Sequence, residues 1–556
     1  MDMLAQIVSK LSPLEIAVCA VVTLFGIYWA AIAFYQLFLS PLRKIPGPWY
    51  AAISNFWITT HVLRLQRCRA IDGLLRKYGP IVRVAPNKVI FNDVPTTKLV
   101  YGVSAKLDKS EFYSSLKTNG NDHAMTVLNH ADHGIRKRGY ASHYVQANLN
   151  LFESDFQNIV LKMIDMLYSA GQHHGVEVDT LLLFRHMMID INGVHMFNFD
   201  AKSLSAWSDH IFSGDSPNRL SMAISDYPKR GMLIGILPDV LWNALQYIPW
   251  TRWQYFYESS NYVGKFVEDR LIENRRLRLA NAMSERRSLM DRLLAHKYSD
   301  TEPMPDKDVV SECVGHLIAG SDTASLTLSF ICWELSRRPD VMLRLQAELD
   351  AAMPDSRQIP DLQTLQSLPL LTAVLKEGLR IYTAGPSPLE RVAPGADGKT
   401  SPMTLLGYEI PPGTIIASQA WTTHRQADTF FCPDLFLPER WMLDAYCEPR
   451  PNGGVGIGTR SWSTLSNSQK EKIPKDPKLA HAELSAHLFP FGHGPRVCGG
   501  QNLAQMMLRI ALATIVRNFD LAPAVGTNEK SMEIKDSFVI FPASLECRLI
   551  FTPRLG

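Results

Sequence analysis

The stretch Phe489-Pro490-Phe491-Gly492-His493-Gly494-Pro495-Arg496-Val497-Cys498-Gly499-Gly500 constrains this chain more than any other. Its glycines and prolines exclude regular helix and strand. Directly after it, Leu503, Met506, Met507, Ile510, Ala511 and Ile515 recur at three and four residues, the helix period. Cys498 therefore stands at the mouth of a buried helix, where free amides and the positive end of the helix dipole favour a thiolate over a thiol. A thiolate on a glycine-rich loop suits a soft metal or a haem iron. The other seven cysteines are scattered and form no C-x-x-C pair. That pattern speaks against a disulfide framework or a zinc site and fits a reducing compartment.

The N-terminus adds a second constraint. From Ile16 to Leu42 no residue is charged, a run of 27 residues, where about 20 suffice to cross the hydrocarbon core. Tyr28, Trp29 and Tyr35 suit an interface, and Arg43-Lys44 place the C-terminal side in the cytoplasm. Two readings compete with an anchor. Ala31-Ile32-Ala33 resembles a signal-peptide cleavage site, although the apolar run continues to Leu39; a buried core helix is the other. The expected organisation is a short head (1–15), an anchor (16–40), a stiff elbow (41–50) around Ile45-Pro46-Gly47-Pro48, and a body (51–556). With 46% apolar and 20% charged residues the body is a folded one, and a net charge of +3 is too small for a nucleic-acid surface.

Within the body, the period predicts a helix over 65–78, then a hairpin of 81–84 and 88–91 around Pro86-Asn87. Residues 105–130 are polar and irregular. His133-Gly134-Ile135-Arg136-Lys137-Arg138 opens a helix whose ionisable side chains can meet an anion; a solvated face is the plainer alternative. Residues 150–300 are mainly helical, and the apolar, Pro- and Gly-bearing part at 214–250 suits a core, a membrane-touching surface or a lid. Residues 447–485 are polar and Gly/Ser/Lys-rich, an expected exposed insertion.

A long apolar helix is predicted over 306–337, with Asp322 the only charged residue between Cys313 and Trp333. A buried carboxylate needs a partner or a task. Gly320 beside it costs about 1 kcal/mol in a helix centre, so a local widening or room for a ligand is expected there. Ser321, Asp322 and Thr323 supply the parts of a proton relay; an internally bonded Asp322 in a kinked core helix is the alternative. In a further amphipathic helix, Glu377 and Arg380 stand at i and i+3, where they can pair.

Together these motifs resemble the cytochrome P-450 superfamily of haem-thiolate monooxygenases. F-x-x-G-x-R-x-C-x-G stands complete as Phe491, Gly494, Arg496, Cys498 and Gly500; A/G-G-x-D/E-T stands as Ala319 to Thr323; E-x-x-R is Glu377 and Arg380, with Arg440 of Pro438-Glu439-Arg440-Trp441 as third member. The resemblance implies a mainly α fold with small β-sheets, preceded by one transmembrane helix of the microsomal class. It implies haem b with Cys498 as axial iron ligand, Phe491 near the thiolate, and Arg496 and Arg391 on the propionates. His133 and Lys137 fall where the family places a Trp and a basic residue. Asp322 and Thr323 would deliver protons to bound oxygen, while Glu377, Arg380 and Arg440 form a structural ion network. Leu317, Ile318, Pro388, Leu389 and Ile540 fall in substrate-contact regions, and their apolar character implies a hydrophobic substrate. Further implications are O2 as co-substrate, electrons from NADPH through a separate reductase with cytochrome b5 as a second donor, and a catalytic domain on the cytoplasmic face of the endoplasmic reticulum. The whole chain looks like filamentous-fungal enzymes of terpenoid, polyketide or alkaloid secondary metabolism. The competing functions are a haem-thiolate isomerase or dehydratase that does not use O2, and a non-catalytic membrane-bound haem or lipid binder; the intact Asp322-Thr323 pair argues against both.

Overall fold

The charge-free N-terminal run folds as a helix, α1 (Pro13–Phe34), continued by a π-helical turn at Tyr35–Leu39. Ser12 starts it through a capping box: its hydroxyl accepts the Glu15 N–H at 3.3 Å, and its own N–H donates to the Glu15 carboxylate at 2.7 Å. Residues 13–15 therefore belong to the helix and not to the head. The computed structural model describes residues 12–171, 175–213, 218–282, 284–395, 403–430, 432–442 and 477–554, so the rest of the head lies outside the described residues. Pro13–Leu39 is 27 residues long and apolar enough to cross a membrane. The core of the chain buries none of the α1 side chains, which removes the core-helix reading.

The elbow is docked and not a free spacer. Leu42 and Ile45 are buried. Arg83 ties them down: its N–H donates to Pro46 O at 2.8 Å, and its guanidinium donates to Gln36 O at 3.1 Å and Pro86 O at 2.7 Å. Arg83 lies in β1 (Ile81–Ala85), which pairs antiparallel with β2 (Lys88–Phe91), the expected hairpin. Two later strands, β3 (Arg391–Val392) and β4 (Ile415–Ala417), complete a sheet of order β1-β2-β4-β3, with β2 and β4 parallel.

Behind the sheet lies the helical core. Its elements that matter for the site are α2 (His130–Ala141), α3 (Thr180–Phe197), α4 (Arg219–Ile234), α5 (Asp306–Ser336), α6 (Pro369–Ile381) and α7 (Gln501–Asn518). The 31-residue α5 is apolar on nearly every face and so must be packed all round. Its most extensive partner is α3, and α4, α6 and α7 close around it. The 214–250 stretch divides. Leu220, Ala223, Ile224 and Tyr227 of α4 enter the core, while Val240, Leu241, Tyr247 and Trp250 stay exposed.

The insertion expected at 447–485 needs correcting at its end. Residues 447–476 lie outside the described residues, but Pro477–Ala486 is a helix. Its Leu484 is buried against Ala373, Phe430 and Trp441. Helical phase turns that side chain inward, which composition alone did not reveal.

One buried ion network joins these parts. Glu377, Arg380 and Arg440 are all 0% exposed. The Glu377 carboxylate accepts from Arg380 Nη2 at 2.8 Å and Nε at 2.9 Å, from Arg440 Nε at 3.0 Å, from Trp441 Nε1 at 2.9 Å and from the Leu437 N–H at 2.8 Å. Burial would raise its pKa, but the two guanidiniums hold it down at about 2. The unfolded carboxyl titrates near 4.3, so the native state binds fewer protons across that window. The stability this group contributes is present above about pH 4.5 and is lost as pH falls toward 2. Glu377→Ala leaves two cations buried without a counter-charge and is expected to cost about 3–5 kcal/mol. Thermal unfolding at neutral pH checks this, and an unchanged midpoint would remove the network from the stability argument.

Candidate functional site

The cysteine loop is tied on every side. Within it, Gly492 N–H donates to Phe489 O at 3.0 Å and Cys498 N–H to Phe491 O at 2.9 Å. A 3-10 turn at Gly494–Arg496 narrows it. Gly494 has φ +66°, and a Cβ there would lie 1.8 Å from Tyr101 O, so only glycine fits. From α2, Lys137 Nζ donates to Pro495 O at 2.7 Å. Arg496 reaches the other way: Nη1 donates to Val127 O at 2.6 Å, and Nη2 to Leu128 O at 2.8 Å and Asn129 O at 2.9 Å. The Phe489 N–H donates to His424 Nε2 at 3.0 Å, and His424 O accepts from Arg380 Nη1 at 2.7 Å. The loop thus hangs from the Glu377 network through His424, a residue that sequence reasoning missed.

Cys498 is exposed by surface area, yet surrounding protein pushes its thiol above the ordinary value. Both hold only if it faces an internal opening. The Gly500 N–H and Lys137 lower the thiol pKa but do not overcome burial. The helix mouth thus acts on the sulfur with the expected sign, and a coordinated cation would deprotonate it outright.

The facing wall belongs to α5. In this buried helix, Ala319 is exposed and Gly320 and Thr323 are half-exposed. Tyr140 bridges the two walls at one edge: a Cβ on Gly499 would meet its ring at 2.7 Å, and its ring lies 4.6 Å from that of His316 on α5. About one aromatic ring therefore separates the walls there.

The rim is cationic. Arg391 lies over the Tyr101 ring at 5.0 Å and donates to Glu390 O at 2.8 Å. Lys109 is 9% exposed; its Nζ donates to Met125 O at 2.5 Å and sits 4.1 Å from the Tyr113 ring. Among the described residues no carboxylate pairs with Lys109, Arg391 or Arg496. Burial and the neighbouring Arg391 push Arg496 down to about 10, while burial with Arg391 and Arg496 drives Lys109 well below its usual value. Arg496 Nε is buried without a partner. Such a cluster lacks an anion. Lys109 was missed because nothing in the irregular loop 105–130 marks it. The α2 expectation narrows: Arg136 is already paired with Asp308 at 3.0 Å, and burial with the surrounding cations lowers His133 to about 2, so it is a neutral ring.

A thiol, an exposed stretch of α5 and a rim of cations without an ion-pair partner match a metal-centred dianion such as haem. The residues fit that group.

The Ser321-Asp322-Thr323 set does not converge as expected. Successive helix positions point about 100° apart. Asp322, 3% exposed, pairs with Arg185 of α3 at 2.9 Å. It lines a cavity of about 150 Å³ with Lys229, Asp226, Arg252 and Ile540. Thr323 turns to the opening, and its hydroxyl donates to Ala319 O at 2.7 Å. Ser321 meets Asn192. Gly320 widens nothing for a ligand on its inner side, because Asn192 occupies that space. The pocket residues also separate. Leu317 is 1% exposed in the main core, two positions and so about 200° from Ala319, which corrects its expected place on the wall. Ile318 is buried on the flank, Pro388 is buried, and Leu389 lies 3.7 Å from where a Gly492 Cβ would be. Ile540 is on the Asp322 side.

Comparison with known proteins agrees with this geometry. Benzoate 4-monooxygenase bphA of Aspergillus niger is 26% identical over 525 residues, covering 91% of this chain and 92% of that protein. Cytochrome P450 monooxygenase cypX of Dothistroma septosporum is 25% identical over 541 residues, covering 95% and 94%. Cytochrome P450 monooxygenase stcB of Emericella nidulans is 24% identical, covering 93% and 89%. The Cytochrome P450 family model matches residues 45–548. With the thiol, the open helix face and the cationic rim inside that span, the chain belongs to the cytochrome P450 family of haem-dependent monooxygenases.

Proposed function

We propose that Cys498 holds the haem iron as thiolate and that Arg391, Arg496, Lys109 and Lys137 neutralise the propionates. His133 supplies a neutral ring beside them, and Phe491 shields the sulfur side. The observation that carries this reading is the cluster of Lys109, Arg391 and Arg496 at the rim, which among the described residues has no carboxylate in ion-pair contact, Asp108 acting on Arg496 only from beyond that reach. When bound, the haem activates O2 for insertion of one oxygen atom into substrate, and thiolate ligation favours O–O cleavage.

The chain supplies the remainder. Ala319 and Thr323 form the wall against which oxygen and substrate lie, and Thr323 Oγ1, its own hydrogen engaged with Ala319 O, accepts a hydrogen bond there and so holds a proton donor in place. Asp322, held by Arg185, collects protons from the polar cavity behind α5 and hands them on by turning its carboxylate about the helix. The substrate is a lipophilic small molecule of the terpenoid, polyketide or alkaloid kind. Electrons come from an NADPH-dependent reductase, with cytochrome b5 as a second donor. α1 anchors the chain in the endoplasmic reticulum membrane, and the exposed apolar residues at 240–250 rest on the same bilayer, with the catalytic body (51–556) in the cytoplasm.

Three outcomes check this. The reduced protein with CO is expected to show the red-shifted Soret band of a thiolate complex, and Cys498→Ser to lose it; an unshifted wild-type band ends the reading. Lys109→Met is expected to speed haem transfer to apomyoglobin about tenfold, the counterpart of one charge-assisted hydrogen bond of roughly 1.5 kcal/mol. An unchanged rate takes Lys109 out of the cradle. Thr323→Ala is expected to raise peroxide released per NADPH by about an order of magnitude or more, and wild-type coupling refutes the proton role. Screening lipophilic candidates for a substrate-induced haem spectral shift identifies the substrate class.

A further inference from the structure

Four residues behind α5 form a hydrogen-bonded string with no access to solvent. His143 and His195 are 0% exposed, Asn192 is 1% and Ser321 is 0%. Asn192 Nδ2 donates to Ser321 Oγ at 3.0 Å. Asn192 Oδ1 can only accept, so His195 Nε2 donates to it, at 2.9 Å. The neutral His195 ring then accepts at Nδ1 from His143 Nε2 at 3.0 Å. The free end, His143 Nδ1, carries no proton and is a buried acceptor without a partner.

The string ends against the most sensitive point of α5. A Cβ on Gly320 would meet Asn192 Oδ1 at 2.8 Å and Nδ2 at 3.0 Å. The amide therefore lies against the helix backbone one residue from Ala319, about 100° round the helix from the side chain that faces the opening. A second handle comes from the same helix. Arg185 and Asn192 lie seven residues apart on α3, two turns and so one face. Arg185 grips Asp322 and Asn192 grips Ser321. Those neighbouring positions of α5 point about 100° apart. Two grips in different directions fix both the rotation of the helix and its height. A single ion pair would leave the rotation loose.

We propose that Asn192 is a positioning residue for the monooxygenase reaction: braced by His195 and His143, its amide sets the rotation of α5 at 319–323 and so the placement of Ala319 and Thr323 over the cofactor. A rotation of 10° moves a side-chain tip by about 1 Å, a displacement that matters at a reacting centre. This rests on the reading of the opening as the haem pocket.

Gly320 and Asn192 are then a matched pair, and their substitutions are non-additive. The test uses the full-length holoprotein in detergent: wild type, Asn192→Ala, Gly320→Ala, the double variant and Ser321→Ala. The readouts are the infrared C–O stretch of the ferrous-CO complex, which senses the distal wall, and the affinity for imidazole. Each single variant is expected to shift the stretch and weaken imidazole binding by several-fold while keeping the thiolate Soret band. The double variant is expected to recover toward wild type, because the new methyl enters the space the amide leaves. Single variants with wild-type stretches, or a double variant showing the sum of both shifts, overturn the proposal. Ser321→Ala removes only the gripped hydroxyl and leaves a good helix former, so it decides the matter if the Asn192 variants do not fold. A wild-type stretch there also refutes the role. A wild-type protein without the thiolate Soret band would instead refute the haem-pocket reading, so the two failures are distinguishable.

Discussion

The Glu377 carboxylate is the interaction on which the remaining geometry depends. Removing a charge from water is expensive, and a buried pair compensates only when every donor is placed. Here the carboxylate accepts from two guanidiniums, an indole and a backbone N–H, and Arg380 spends its other nitrogens on the carbonyls of His424, Pro433 and Leu435. Those carbonyls lie in a segment without regular structure, which has no ladder of its own to hold it. The charge thus does for 424–441 what hydrogen-bond ladders do elsewhere. Through His424 Nε2 the order reaches Phe489 and the cysteine loop. A Lys at 380 would lack the fork that reaches four acceptors.

Around the opening the electrostatics run the other way. The Glu377 network is complete; the rim of Lys109, Arg391 and Arg496 is not. Burial and the neighbouring cations lower the pKa of Lys109 and Arg496, and the Cys498 thiol is raised by burial as well. A polypeptide optimised for its own stability would place a carboxylate there, as it does for Arg136 between Asp308 and Glu312. Left this way, the site binds strongly to whatever brings two negative groups to the rim and a cation to the sulfur. The unfavourable terms of the protein alone become favourable terms of the complex.

How much of this the sequence disclosed follows from how local each feature is. The cysteine loop depends on glycine and proline spacing over twelve residues, and Glu377–Arg380 on one helical turn, so both were readable. The anchor needed only an uncharged run. Lys137 was readable in the ionisable start of its helix, whereas Arg440 and Arg391 came from motif resemblance, because nothing near them in the chain marks their contacts. His424 and Trp441 were missed because each meets its partner across a long stretch of chain, and Lys109 because its irregular loop carries no pattern that marks it. Arg185 was within reach. It stands in Leu181 to Ile191, an apolar run like the one around Asp322, and two buried charges of opposite sign in two buried helices invite pairing. Ser321, Asp322 and Thr323 are neighbours in sequence, but the helix period points them in three directions, so any proton path between them needs a side chain to turn.

That separation is what lets α5 be both a core helix and a wall of the reaction site. A helix packed on all sides cannot bear a polar group without a partner, and α5 meets the condition one position at a time. Ser321 is satisfied by Asn192, Asp322 by Arg185 and Thr323 by the carbonyl of Ala319. The first two bonds come from α3 and hold the helix; the third is internal and leaves the Thr323 oxygen able to accept on the side of the opening. Gly320 belongs to the holding side, since the atoms that forbid a Cβ there are those of Asn192. The glycine that marks the family motif is thus needed in this chain for the grip behind the helix as well as for anything in front of it. A change on the α3 side can therefore alter the exposed face of α5 without touching it.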